Sequence, residues 1–391
     1  MSAPENYLIE FLLLDDQSEL RARRQEEVVD EILDAVFASS SSSEDSDTEN
    51  EDHVKCENFE ATLDAMNQKD FKMHMRLKRE TVEYLIMRYS NYAPDPSSGG
   101  RPPVTAKKSV YMYIWYVSNT VTFRQLGNLF GVAQSAAWSV VQRVATFLVS
   151  IADEHIKWPQ GAYLHENAEQ FREKKRIPGV IGAIDCTHIA IKGPKNCKEM
   201  YFNRKKAYSI VVQAVVDCNK KFIDITCGEP GSLHDYRVLR RSKLFEDAES
   251  HYEEMFPNSH FIIGDSAYPS NKWIVSPFKD YGNLNDAQRK FNEILSSTRM
   301  VVENAFGLLK GRFRRLLMFT EQTDFKMITN IVVSVCVLHN ICISFDDLYD
   351  MNEQSTDTLF ATEDERDESG IDEALDRRQN LFNYLIQNHI I

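Results

Sequence analysis

Three strand-length runs between residues 179 and 230 constrain the fold more than any other feature of this chain. They read "GVIGAIDCTHIAI" (179–191), "YSIVVQAVVD" (208–217) and "KFIDITCGE" (221–229). The last two are parted by turn-forming "CNK", and Pro230 and Gly231 close the third. Such a succession predicts an antiparallel meander. The first run carries a carboxylate, Asp185, in its middle. A buried carboxylate is costly, so it has a partner, a metal or a task.

The segments after the meander predict an α/β domain. A helical segment (234–245) precedes an apolar strand, "HFIIGDSAYP" (260–269), a loop-rich interval to about 296 and a long helix, "TRMVVENAFGLLKGRFRRLL" (298–317). A last apolar helix (328–345) is expected to pack on the sheet. The second buried-strand acid, Asp265, comes after Gly264, which gives the backbone room. Taken alone, such a strand-end acid is more often a turn or cap residue; a second acid on another strand makes coincidence a poorer account. On the long helix, Val302, Phe306, Leu309, Phe313 and Leu316 form an apolar stripe. Arg299, Glu303, Gly307, Lys310 and Arg314 share the neighbouring face. Glu303 reads either as a structural partner of Arg299 four residues earlier or as a third functional acid. Two strand acids and one helix acid match a ribonuclease-H-like fold. Convergent carboxylates repel unless divalent cations lie between them, and Mg²⁺ or Mn²⁺ suits carboxylate oxygen.

The N-terminal third reads as helical. Residues 5–37 are acidic with helical periodicity, "SSSSSEDSDTENED" (39–52) is low-complexity, and helices are predicted over 68–92 and 107–156, broken by "APDPSSGGRPPV" (93–104). Within the second block, Thr122 and Gln125 form a capping-box start and Gly131 a turn. The pattern resembles a helix-turn-helix whose second helix presents Gln134, Ser135, Ser139, Gln142 and Arg143 outward. An ordinary helical hairpin has the same pattern.

Charge is unevenly placed along the 391 residues. The chain carries a net charge of −14, with 4 Lys+Arg against 18 Asp+Glu in residues 1–60 and 3 against 13 in 345–391. The span 61–344 is left with 38 against 28, a basic body between acidic ends. That balance suits a nucleic-acid-binding core; a solvated mixed-charge surface has the same balance. Seven cysteines without a CxxC pair point to a reducing compartment and not to zinc. Cys336, His339 and Cys342 on the last helix are read as core. The best membrane candidate, "YLIEFLLL" (7–14), is short and carries Glu10, and no stretch approaches roughly 18 uninterrupted apolar residues, so no membrane span is expected.

The blocks "GAIDCTH", "YFNRKKAYSIVVQAVVD", "PGSLHDYRVLRRSKLF", "GDSAYP" and "VENAFGLLKGRFRRL" together resemble those of PIF/Harbinger transposases and the nucleases derived from them, from about 70 to 345. The resemblance implies an α/β, RNase-H-like DDE nuclease domain preceded by an all-helical domain with a helix-turn-helix-like segment. It puts the D-D-E triad on Asp185, Asp265 and Glu303, with Asp235 as a further candidate metal ligand or an acid that orients the ligands; from its position alone Asp235 reads equally as the first-turn acid of a helix. The cofactor that the resemblance implies is a divalent cation, Mg²⁺ or Mn²⁺. The basic residues Arg204, Lys205 and Lys206, with Lys310, Arg312, Arg314 and Arg315, would then meet DNA phosphates.

The chain is accordingly divided into an acidic N-terminal helix (1–38), a disordered acidic linker (39–60), a helical region (61–156), a nuclease domain (178–345) and an acidic C-terminal tail with a terminal helix (346–391). A metal-dependent DNA endonuclease of transposase descent is the leading expectation. The alternative is a domesticated nuclear protein that binds DNA or a partner without cutting. The resemblance also implies a Myb-like partner protein and residence in the nucleus, and leaves a homo-oligomer open.

Overall fold

The computed structural model describes residues 55–56, 58–92, 104–319, 324–349 and 374–391. The acidic helix read over 1–38, most of the linker 39–60, the breaker up to residue 103 and most of the acidic tail lie outside the described residues.

The described chain enters through six helices: α1 (Phe59–Ala65), α2 (Gln68–Met75), α3 (Arg79–Tyr92), α4 (Ala106–Ser118), α5 (Phe123–Phe130) and α6 (Gln134–Ser150). The α5 start obeys the sequence signal. Thr122 accepts from Gln125 N, and the Gln125 side chain accepts from Thr122 N at 2.8 Å. Gly131 closes the helix at φ 69°. Leu126, Ala137, Val140, Val141 and Val144 are buried. On α6, Gln134, Ser135 and Arg143 are exposed, whereas Ser139 and Gln142, expected outward, are half-buried.

A further helix, α7 (Gly161–Lys175), leads into the sheet. Its last turn is basic, with Arg172, Lys174 and Lys175, and Arg176 caps it at φ 62°. The meander comes next as β1 (Val180–Ile191), β2 (Ser209–Val216) and β3 (Phe222–Pro230), antiparallel as the runs predict. After α8 (Asp235–Arg240) and α9 (Lys243–Ser250) come β4 (Phe261–Ile263) and β5 (Ile274–Val275), both parallel to β1's direction. The helix α10 (Asp286–Arg312) is next, then β6 (Met318–Phe319), α11 (Phe325–Ser344) and α12 (Ala374–Gln387). The sheet order is β3-β2-β1-β4-β5, with β6 pairing the far end of β1.

The structure corrects two sequence expectations. The interval read as loop to about 296 is helical from Asp286, because Asn285 and Gln288 form a second capping box. The apolar α11 is long and apolar enough to cross a membrane by length and composition, contrary to the expectation that no segment is. Counting unbroken apolar residues misses it because Asn330, Ser334, His339 and Asn340 interrupt the run. Most of α11 is buried in the fold. His339 Nε2 bonds Lys220 O at 2.9 Å, and Asn340 accepts from Phe222 N at 2.9 Å, so these polar groups are satisfied within the core.

The sheet is covered on both faces. One face, with Ala183, Ile189, Val212, Ala214 and Val216, joins a hydrophobic cluster that also contains residues of α10, α11 and the N-terminal helices. The other face, with Ile184, Val211, Val215 and Ile223, packs with Leu164, Val238, Leu244 and Trp273. Of the stripe read over 298–317, only Val302, Phe306 and Leu309 lie on α10, which ends at Arg312; a 3-10 turn (Arg314–Leu317) follows where the sequence pattern predicts more helix. All five residues of that stripe are buried. Full burial of each such side chain stabilises by about 1.5–3 kcal/mol.

Candidate active site

Register alone brings two acids together. The last β1–β4 pair is Ala183 with Ile263, in parallel, so Asp185 and Asp265 each lie two residues beyond it: Asp185 stays in β1, paired with Ala214 of β2, while Asp265 follows the end of β4. From there β1 runs on to meet β6 at Ala190. The edge between is the crevice past a short strand's carboxyl end where α/β folds place ligands. Gly264 makes the turn there possible, since a Cβ would fall 2.8 Å from the Tyr268 ring. Asp265 Oδ1 accepts from Ala267 N at 3.0 Å, which fixes the turn. Asp235, the first residue of α8, supplies a third carboxylate. One carboxylate oxygen from each of Asp185, Asp235 and Asp265 lies within 4.8 Å of the other two.

Their environment is costly for charge. Burial, opposed by Arg299 and reinforced by Asp265 and Asp235, pushes Asp185 up to about 7. Burial and Asp265 push Asp235 up to about 6, against a hydrogen bond with Cys186 and the pull of Arg204 and Arg299. Cys186 N donates to Asp185 Oδ1 at 2.8 Å, and its thiol lies 3.3 Å from Tyr268 Oη. These three hard oxygen donors, Asp185 buried and Asp235 and Asp265 half-buried, form a donor set suited to Mg²⁺ or Mn²⁺.

Glu303 stands outside that group of three but is tied to it. Arg299 places Nη1 2.7 Å from Asp185 Oδ2 and Nη2 2.6 Å from Glu303 Oε1. The pairing four residues apart on one helix is legible in the sequence. The long-range bond to Asp185 is not. Glu303 keeps 47% of its side chain exposed, against 9% for Asp185.

The basic residues divide into two sets. Arg204, Lys205 and Lys206 are exposed, and Arg204 contacts the ring of His234, next to Asp235. Lys310 turns inward: its Nζ donates to Thr187 Oγ1 at 2.7 Å and His188 O at 2.8 Å, and burial lowers it to about 8. Arg312 and Arg315, expected to meet phosphate, are buried. Arg312 donates to Asp347 O, and Arg315 donates to Val121 O with its guanidinium 4.2 Å from the Tyr116 ring centre. Arg312 ends α10 and Arg315 lies in the 3-10 turn that follows, where Phe313 and Leu316 are buried too. Arg314 is half-buried. His188 bonds Ser209 Oγ at 3.0 Å, and burial together with Lys310 lowers it to about 4.

Residues 184–340 match the family described as DDE superfamily endonuclease, a span containing all four acids. Similar proteins include "Protein ALP1-like" of Arabidopsis thaliana, 27% identical over 71% of this chain and 72% of its own length. "Putative nuclease HARBI1" of Rattus norvegicus is 28% identical over 68% of this chain and 75% of its own. "Probable transposase for insertion sequence element IS702" of Microchaete diplosiphon is 22% identical over 62% and 86%. No solved structure matches. The likeness read from the sequence blocks stands: the chain carries a DDE superfamily endonuclease domain and has relatives named for nuclease and for transposase.

Proposed function

We propose that this chain uses its DDE superfamily endonuclease domain as a divalent-metal-dependent DNA endonuclease of transposase descent. The observation that carries the reading is the convergence of Asp185, Asp235 and Asp265 within 4.8 Å, at the point where β1 outruns β4. The strand order, with three antiparallel strands succeeded by two parallel ones, supports an RNase-H-like assignment of the sheet.

In this reading Asp185 and Asp265 hold the metal, Asp235 contributes a third oxygen, and Glu303 completes the set from α10. Divalent cations there supply a Lewis acid that activates water and stabilises the departing oxygen of a phosphodiester. The chain's own residues do the positioning. Arg299 holds Asp185 and Glu303 through the two arms of one guanidinium, which fixes the strand acid against the helix acid. Lys310 fastens α10 to β1 just past Asp185. Arg204, Lys205 and Lys206, with Arg314 contributing from the turn after α10, receive DNA phosphates and supply affinity without sequence choice. The surplus of basic residues in 61–344 supports that role. A Myb-like partner, a homo-oligomeric assembly and residence in the nucleus belong to the same proposal, on the strength of the resemblance.

Binding tests the reading in two parts. Duplex DNA affinity measured by anisotropy in EDTA should fall steeply with salt, as counterion release requires. Mn²⁺ binding measured by electron paramagnetic resonance should be lost in Asp185→Asn and Asp265→Asn proteins that remain folded. Salt-independent DNA binding, or full Mn²⁺ binding by both variants, contradicts it.

A further inference from the structure

Between β1 and β2 the chain makes a tight hairpin. Phe202 and Tyr208 form an antiparallel bridge, Asn203 N donates to Ala207 O at 2.9 Å, and Lys206 N donates to Asn203 O at 3.0 Å. The Asn203 side chain fills the turn, accepting from Ala207 N at 3.1 Å and donating to Ser209 Oγ at 2.9 Å. Tyr201 stacks on Phe325 at the base. The outer side is different in kind. Phe202 is 44% exposed and Met200 49%, and Arg204, Lys205 and Lys206 stand at the tip.

The hairpin is braced against the segment that delivers Asp235. Ser232 N donates to Met200 O at 3.0 Å and Gly231 N to Ser209 O at 2.9 Å. Gly231 allows this approach, because a Cβ there would lie 2.5 Å from Ser209 O and 2.9 Å from Tyr201 O. Arg204 reaches the His234 ring from the tip. An exposed aromatic ring, three cations and an acid of the cluster are thus held by one rigid unit.

Cations explain binding of any duplex. The Phe202 ring packs against Tyr208, with ring centres 5.4 Å apart, and still leaves part of its surface open beside the cations. A fully paired duplex shows phosphates at its surface and keeps its base faces stacked. An unpaired base offers a π-face, and aromatic platforms flanked by cations are how proteins bind single strands. A protein-docking patch would be poor in lysine, and this tip is not. We infer that the hairpin receives DNA that is unpaired beside the cut site, with phosphates on Arg204, Lys205 and Lys206 and an unstacked base on the Phe202 ring. The substrate class is then duplex DNA carrying a splayed or mismatched segment. The inference rests on the nuclease reading.

The test compares the full chain, in EDTA so that nothing is cut, on a fluorescent duplex and on the same duplex with a short mismatched bubble. The wild type is expected to bind the bubble about tenfold more tightly, the scale of one base–aromatic stack. A 2-aminopurine in the bubble should be quenched on binding. Phe202→Leu keeps an apolar side chain at a half-exposed position, and its melting temperature checks folding. In that variant the bubble-to-duplex ratio is expected to fall to about one and the quenching to vanish, with the wild-type salt slope retained. Lys205→Ala should instead weaken both complexes and flatten the salt slope. Equal wild-type affinity for both DNAs, or an undiminished bubble preference in Phe202→Leu, overturns the inference while salt-dependent binding leaves the nuclease reading standing. Absence of salt-dependent binding to either DNA overturns both.

Discussion

Arg299 is the residue on which the acid cluster's charge balance turns. It lies at 2.7 Å from a carboxylate that is 9% exposed, so its removal leaves Asp185 buried without its cation. Protonation of Asp185, already raised to about 7, caps the cost at about 1.4 kcal/mol per pH unit above that value. At a pH of about 8.5 Arg299→Met should therefore lower the unfolding free energy by about 2 kcal/mol, and adding Asp185→Asn should restore most of the loss. A double-mutant cycle by urea denaturation checks this, and a coupling below about 0.5 kcal/mol would contradict it. His339 gives a prediction with a definite pH window. Burial lowers it to about 4, whereas the unfolded side chain titrates near 6.5. Between those values the unfolded state binds the proton and the folded state does not. The stability that neutral His339 contributes is present above pH 6.5 and is lost as pH falls towards 4, on the order of 3 kcal/mol in all. Asp224, raised to about 6 by burial, acts in the opposite sense. It is common to wild type and His339→Gln, so the difference between their stabilities isolates the histidine. That difference should shrink as pH drops from 7 to 4; a constant difference would sink the assignment.

At the scale of elements, periodicity carries well where one apolar face meets one core. The α10 stripe, the α5 capping box and the β1–β3 meander are all legible because each depends on neighbours in sequence. The start of α10 is equally legible in principle, since Asn285 and Gln288 repeat the Thr122 and Gln125 signal, but the polar residues after it read as loop. The run at 260–269 reads as one strand, yet only Phe261–Ile263 pairs, because Gly264 and Asp265 turn the chain at once. Strands of two residues, β5 and β6, leave no periodic trace. The acids Asp185 and Asp265 stand out by type and surroundings, whereas their adjacency comes from a parallel register that no local pattern encodes. Asp235 reads as an additional ligand and stands in the group of three; Glu303 reads as the third acid and stands beside it, linked through Arg299. Gly264 supports this arrangement. Gly264→Ala should displace the Tyr268 ring and with it the Asp265 turn, lowering stability by about 1–3 kcal/mol as overpacking does. Thermal denaturation checks it, and an unchanged midpoint would show that the ring yields freely.

The molecule as a whole is joined more closely than its sequence divisions imply. Helices read as a separate region share one hydrophobic cluster with α10, α11 and a face of the sheet. A buried acid reinforces the junction: Asp347 accepts from Lys78 N at 2.6 Å and Thr81 Oγ1 at 3.1 Å, and lies 3.2 Å from Lys72 Nζ. The carbonyl of Asp347 takes Arg312 at the end of α10. Residues 54–391 should then unfold cooperatively, with far-ultraviolet circular dichroism and tryptophan fluorescence giving coincident transitions. Two separated transitions would mean that the helical half and the sheet fold independently. The central claim is that converging carboxylates at the end of β4 cut DNA with a divalent metal. Nicking of supercoiled plasmid in Mg²⁺ and in Mn²⁺ tests it most directly, with the wild type set beside Asp185→Asn, Asp235→Asn, Asp265→Asn and Glu303→Gln proteins of verified fold. The account predicts metal-dependent nicking that EDTA abolishes and that falls at least about a hundredfold in Asp185→Asn and Asp265→Asn. Undiminished nicking by those two variants, or none by the folded wild type with a DNA-binding partner present, would contradict it.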